Sequence, residues 1–243
     1  MGQERAWLYA HSDEELREVW WIHYGRYLHQ RLKGQPTQHI TGVQEFYGRE
    51  FRVTPDVLIP RQETEHVIET ALRLDAKRIV DIGTGSGAIA ITLALETGAH
   101  VVGTDVSAAA LRVAAENGRV LGAAVTWLAC DLASALHGGR FDLVVSNPPY
   151  VPGRDKTTLQ REVRDYEPEV ALYGGDDGLE MYRRLVPEAD RLLAPGGWLV
   201  MEIGYNLGDA VGGMLGAWKD VEIRTDLAGL PRVAMARKAR MLL

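Results

Sequence analysis

From Lys77 onward the chain alternates short, strand-length apolar runs with runs of helical spacing, and this constrains the fold more than any other feature. Lys77–Ile82, His100–Asp105, Val125–Cys130, Phe141–Ser146 and Trp198–Ile203 are strand-like, whereas Ala88–Ala94, Ala108–Leu121 and Leu179–Leu193 read as helices. Nearly continuous apolar strands separated by helices make a parallel sheet covered on both faces. The predicted class is therefore α/β. The closing segments Val221–Arg224 and Arg232–Arg237 predict a terminal antiparallel pair. With 243 residues, 46% of them apolar, the chain can fill one large core and carry a small appendage.

The appendage is expected at the N-terminus, over residues 1–34. Ser12-Asp13-Glu14-Glu15 has the form of a capping box, and Leu16, Val19, Trp20, His23, Tyr24, Tyr27 and Leu28 follow at helical spacing. Gly34 and Pro36 end that helix. Two uses of its aromatic face stand open: packing against the body, or docking a partner through Trp and Tyr anchors. Residues 35–72 read as a connector, with hairpin strands at Thr41–Gly48 and Glu50–Val53 and a loop, Leu58-Ile59-Pro60-Arg61-Gln62-Glu63-Thr64-Glu65, leading into a helix. Residues 73–243 form the α/β domain.

In open α/β sheets ligands bind beyond the C-terminal ends of the strands. The first strand runs into Gly83-Thr84-Gly85-Ser86-Gly87, where glycines permit a tight turn and close approach of a ligand to the main chain. Alone this matches many nucleotide sites, NAD sites included. Asp81, two residues before the first glycine, suits a ligand's ammonium group better than a pyrophosphate. Asp105 ends the second strand ~20 residues on, where a carboxylate accepts both ribose hydroxyls. Asp131 and Leu132 end the third, placed to bond an adenine amino group and cover its ring. The set points to S-adenosylmethionine ahead of NAD.

Asn147-Pro148-Pro149-Tyr150 ends the fourth strand. An Asn carbonyl and a Pro carbonyl can each accept from a planar NH2 group, and proline's fixed φ and missing N–H hold the turn and offer acceptors rather than donors. Tyr150 can pack its ring against the planar group. Asn147, Pro148 and Tyr150 are the candidate catalytic residues, with Pro149 completing the grip.

These segments together resemble the bacterial release-factor glutamine N5-methyltransferases over roughly residues 36–240. The resemblance is carried by Ile59-Pro60-Arg61-Gln62-Glu63-Thr64-Glu65, Asp81–Gly87, Asp105, Asn147–Tyr150, and Tyr166-Glu167-Pro168 with Gly174-Gly175-Asp176-Asp177-Gly178. It implies a seven-stranded class I methyltransferase sheet, a helical N-terminal domain, and S-adenosylmethionine as methyl donor. The implied substrate is the glutamine of the Gly-Gly-Gln loop in class I peptide chain release factors. It further implies that Gly83 to Gly87, Asp105, Asp131, Leu132 and Asn147 meet the cofactor and that Asn147 to Tyr150 hold the glutamine. Gln62 stands where the family commonly has proline, and the N-terminal helical region is short for the family.

Several classes are disfavoured by composition. A net charge of −6 does not suit a duplex-binding surface, and one cysteine excludes a disulfide or a multi-cysteine metal site. No metal is expected. No apolar run approaches the ~20 residues of a membrane span, and the start lacks a secretory h-region, so a cytoplasmic enzyme is expected. The alternatives are a ribosomal-protein glutamine methyltransferase and a nucleic-acid adenine N6-methyltransferase, which would flip a base into the same Asn-Pro-Pro-Tyr grip.

Overall fold

The computed structural model describes residues 5–240. Helices α1 (Arg5–Ala10), α2 (Glu18–Leu32) and α3 (Thr37–Thr41) precede a hairpin, β1 (Val43–Phe46) and β2 (Arg49–Arg52), in which Val43 opposes Arg52. Then follow α4 (Glu65–Leu72), β3 (Arg78–Ile82), α5 (Ala88–Thr97), β4 (His100–Asp105), α6 (Ala108–Leu121), β5 (Val125–Ala129) and β6 (Phe141–Ser146). The chain closes with α7 (Arg161–Tyr166), α8 (Glu180–Leu192), β7 (Leu193–Glu202), α9 (Gly208–Met214), β8 (Lys219–Thr225) and β9 (Pro231–Arg237).

The seven strands β3–β9 form one sheet in the order β5-β4-β3-β6-β7-β9-β8, parallel as far as β7 and antiparallel at β9 and β8. The α/β expectation and the terminal antiparallel pair are both realised. The order reverses between β3 and β6, which makes their junction the switch point where such sheets open a ligand crevice. Both faces are covered. Tyr182, Leu185, Ala189 and Leu192 of α8 pack on one with Val80 and Val144, while Val67, Ile68 and Ile91 of α4 and α5 pack on the other with Ile79, Leu143 and Val145.

The sequence-based expectations need three corrections. The capping box at Ser12–Glu15 does not start the long helix: residues 11–14 turn back on α1, His11 stacks on Trp7 at 4.1 Å, and α2 begins at Glu18 with no side-chain cap. A cap contributes only about 1 kcal/mol, which that turn outweighs. The aromatic face of α2 is not packed on the body, since none of its residues is buried and Trp21, Tyr24 and Tyr27 are each at least half exposed. The strand expected at Trp198 starts at Leu193, after a register shift between Phe141 and Leu143 lets β7 run through Pro195-Gly-Gly.

One packing detail supports the glycine turn. The Trp127 indole of β5 fits against Gly87, Gly103 and Gly118, where an added Cβ would lie 3.0, 2.5 and 3.3 Å from its ring. Three elements leave out a side chain to admit one large ring. Gly103→Ala is expected to lower stability by about 1–3 kcal/mol through overpacking, read as a lower urea midpoint followed by tryptophan fluorescence.

Candidate active site

A cavity of about 450 Å³ opens at the switch point. Its walls are the strand ends themselves: Ile82, Gly83 and Gly85 after β3, Asp105 to Ser107 after β4, Asp131 and Leu132 after β5, and Ser146 to Pro149 after β6. Asp56, Val57 and Leu58 of the connector, Ala110 of α6, Pro168, Val170, Ala171 and Tyr173 of the long loop, and Met181, Arg184 and Leu185 of α8 complete it.

Gly83, Gly85 and Gly87 all take positive φ, of 73°, 55° and 83°, which L side chains adopt only under strain. The turn is tied down at Asp105, whose two carboxylate oxygens accept from the Gly85 amide (2.9 Å) and the Ser107 amide (2.8 Å). Each oxygen keeps a lone pair for a ligand hydroxyl. Thr84, Ser86 and Gly87 do not line the cavity. Thr84 donates to Asp81 at 2.6 Å, the Ser86 carbonyl accepts from Asn117 at 2.9 Å, and Gly87 packs on Trp127. They shape the turn from behind.

Asp81 is fully buried. Thr84 serves one oxygen, while Oδ1 has no hydrogen-bond partner, although the Ala90 amide is near enough to favour its charge. Burial raises its carboxyl to about 7, against that hydroxyl and amide. An orphaned carboxylate oxygen one residue before the cavity wall fits a cationic ammonium, and with Asp105 it fits the amino-acid and ribose parts of S-adenosylmethionine. Asp131 lines the cavity but is ion-paired to Arg184 at 2.6 Å. Leu132, at φ 49°, is held by its carbonyl, which accepts from Thr104 at 2.6 Å.

Asn147 is the pivot. Its Nδ2 donates to Thr64 Oγ1 at 3.0 Å, and Thr64 in turn donates to Glu202 Oε2 at 2.5 Å. Among the described residues nothing donates to Asn147 Oδ1 or to the Pro148 carbonyl. Tyr150 departs from expectation: its ring packs with the core rather than lining the cavity, and its hydroxyl donates to Glu202 Oε1 at 3.1 Å. Burial first, then the Glu202 charge, holds that phenol well above its ordinary value. The Asn-Pro-Pro-Tyr turn is backed by Gly174, where an added Cβ would meet the Pro149 carbonyl at 2.6 Å. The Val151 and Gly174 amides bond across to Leu172 and Val151.

The two segments that carry the family resemblance meet. Arg61 donates to Glu167 at 2.5 Å and the Ile59 amide donates to the same carboxylate at 3.2 Å, across more than a hundred residues of chain. Glu167 is buried, and burial raises its carboxyl despite that arginine. Thr64, Glu167 and Glu202 were not among the candidates from sequence. A glutamate inside the apolar run Trp198–Ile203 was the one available signal for Glu202.

Sequence comparison matches residues 62–165 to the family described as Methyltransferase small domain and residues 1–42 to PrmC N-terminal domain. The release factor glutamine methyltransferase of Koribacter versatilis is 44% identical over 97% of this chain and 86% of its own length. That of Moorella thermoacetica is 46% identical over 96% and 85%. Among solved structures, a methyltransferase from Pyrococcus furiosus superposes with a TM-score of 0.64 at 18% identity, over 86% of this chain and 99% of that one. A 16S rRNA N2 G1207 methyltransferase from T. thermophilus, in complex with AdoMet and guanosine, gives 0.58 at 21% identity over 81% and 49%. The last two show a shared fold.

Asp81 makes a testable mark on stability. Its carboxyl lies at about 7 in the fold against 3.8 unfolded, so the folded state binds more protons between these values. Stability is therefore greatest below pH 4 for this group and falls as pH rises to 7, by at most about 1.4 kcal/mol per unit. Denaturant midpoints across that range should fall more steeply in the wild type than in Asp81→Asn.

Proposed function

The chain belongs to the family of release factor glutamine methyltransferases, and on that premise we propose that it methylates the side-chain amide nitrogen (N5) of the glutamine in the Gly-Gly-Gln loop of class I peptide chain release factors. The single observation that carries this is the Asn147 amide, tethered through its NH2 to Thr64 on a cavity wall it shares with Pro148, while among the described residues nothing donates to its oxygen or to the Pro148 carbonyl.

Gly83, Gly85, Asp105, Asp131 and Leu132 would hold S-adenosylmethionine, Asp81 would suit its ammonium group, and the cofactor would supply an electrophilic methyl group on a sulfonium. The chain's own task is to orient a reluctant nucleophile. An amide nitrogen shares its lone pair with its carbonyl and attacks poorly. Asn147 Oδ1 and the Pro148 carbonyl accept its two N–H bonds and fix the plane of the amide, which removes rotational freedom before reaction. As positive charge grows on that nitrogen the same two oxygens stabilise it, already oriented, in a site walled by Pro149, Pro168 and Leu185. Glu202 and Tyr150 are occupied with each other, so neither serves as base; the proton leaves the methylated amide afterwards to solvent.

The division into residues 1–34, 35–72 and 73–243 fits this work: the first presents an exposed aromatic helix for docking the release factor, the second carries Arg61 and Thr64 to the site, and the third holds the donor. No described helix is long and apolar enough to cross a membrane. A translation-factor substrate places the reaction in the cytoplasm, and recognition of a protein loop needs no stable nucleic-acid complex.

Incubation with labelled methyl donor and purified release factor should put one methyl on the loop glutamine, located by mass spectrometry and absent when that glutamine is replaced. Asn147→Ala is expected to lower turnover by ~10²-fold or more, as loss of one preorganised polar group does, while calorimetry shows donor affinity nearly unchanged. Unaltered turnover would remove Asn147 from the mechanism.

A further inference from the structure

Asn147 can work as an acceptor only if its amide faces the right way round, and nothing in Asn147 itself decides that. A carboxamide turned through 180° fills the same space and presents NH2 where the oxygen stood. In that state the cavity would offer a donor to an incoming NH2, and the two would repel.

The neighbours of Asn147 settle the orientation. Thr64 is buried and its hydroxyl has a single proton, which lies on Glu202 Oε2 at 2.5 Å. Having spent that proton, Thr64 can only accept from Asn147, so the 3.0 Å contact must come from Nδ2. Glu202 in turn is fully buried at the end of β7, one residue past the Ser146–Met201 register pair, and so beside Asn147. The Tyr150 hydroxyl donates to its other oxygen at 3.1 Å. Two hydroxyls thus converge on one carboxylate, and while it is ionised each can only give. The Tyr182 hydroxyl fixes the same residue through its backbone carbonyl at 3.0 Å.

We propose that Glu202 and Thr64 are positioning residues for methyl transfer: the carboxylate sets the direction of a one-way hydrogen-bond chain, Asn147 to Thr64 to Glu202, that keeps Asn147 Oδ1 facing the substrate nitrogen. The assignment deepens, and rests on, the function proposed above. It explains why a carboxylate is kept in a core where burial raises its proton affinity. A neutral amide at position 202 with its NH2 toward Thr64 would force the threonine proton onto Asn147, turning the Asn147 oxygen away from the cavity.

The test uses the full chain and release factor. Glu202→Gln and Thr64→Val should each lower kcat at least ~10-fold, with KM and donor affinity within about threefold of wild type. Thr64→Ser, which keeps the hydroxyl, should retain most of kcat. The decisive variant is Asn147→Asp combined with Glu202→Gln. There the amide introduced at position 202 donates to Thr64, Thr64 donates to one oxygen of the carboxylate introduced at position 147, and the other oxygen faces the substrate. This reversed chain should recover at least a tenfold part of what Glu202→Gln loses. A second readout needs no turnover. The Asn147 side-chain amide protons, assigned by their loss in Asn147→Asp, should exchange with solvent about tenfold faster in Thr64→Val, because their acceptor is gone. Wild-type kcat in Thr64→Val, or a double variant no better than Glu202→Gln, would overturn the proposal, as would equal exchange rates. If wild type left the glutamine unmodified, the function proposed above would fall, and the exchange comparison would still decide the direction of the chain.

Discussion

The pairing of β3 with β6 at the centre of the sheet is the constraint on which the site depends. Their parallel register sets Ile82 opposite Ser146, and the Ser146 hydroxyl reinforces it by donating to the Ile82 carbonyl at 2.7 Å. The glycine turn and the Asn-Pro-Pro turn therefore leave the sheet at one level on adjacent strands, about 4.8 Å apart. A slip of one residue would carry Asn147 ~3.3 Å along the strand and turn its side chain to the opposite face. Burial of Val80, Val144 and Leu143 on alternate faces is what forbids that slip.

Around this junction the protein gathers three buried carboxylates, Asp81, Glu167 and Glu202, each with raised proton affinity from loss of water. Each is met differently. Asp81 has a hydroxyl and one open oxygen, Glu167 has a guanidinium and an amide, and Glu202 has two hydroxyls. Buried ionic groups seldom add net stability, and here they locate backbone and side chains that apolar packing could not orient. Glu167 holds the connector at Ile59 and Arg61 against the loop that walls the cavity. That connection brings Thr64 within reach of Asn147.

Much of this was legible beforehand because the signals are local. The strand runs, the positive-φ glycines, Asp105 and the prolines of the Asn147 turn announce themselves through periodicity and backbone chemistry within a few residues. The partnerships were not, because Thr64 and Glu202 lie 138 residues apart and Arg61 and Glu167 lie 106 apart. No local pattern encodes such a contact. From its motif alone Tyr150 reads as a ring for the substrate, because the carboxylate that claims its hydroxyl comes from β7, far along the chain. Thr84, Ser86 and Gly87 look like ligand contacts from the motif, yet a glycine turn has an outer side, and they occupy it. The Ser12–Glu15 signal failed for a related reason: a weak local preference yields where His11 folds back on Trp7.

At residues 147 and 148 the proposed grip offers lone pairs, because proline brings no N–H and the Asn147 NH2 is turned to Thr64. Deamidation converts a glutamine into a glutamate of almost identical shape. Such a damaged side chain would arrive with two anionic oxygens where two hydrogens are wanted, and would be turned away by charge rather than by size. On the grip proposed above, holding the target would also test its chemical integrity, and a loop already deamidated would go unmodified.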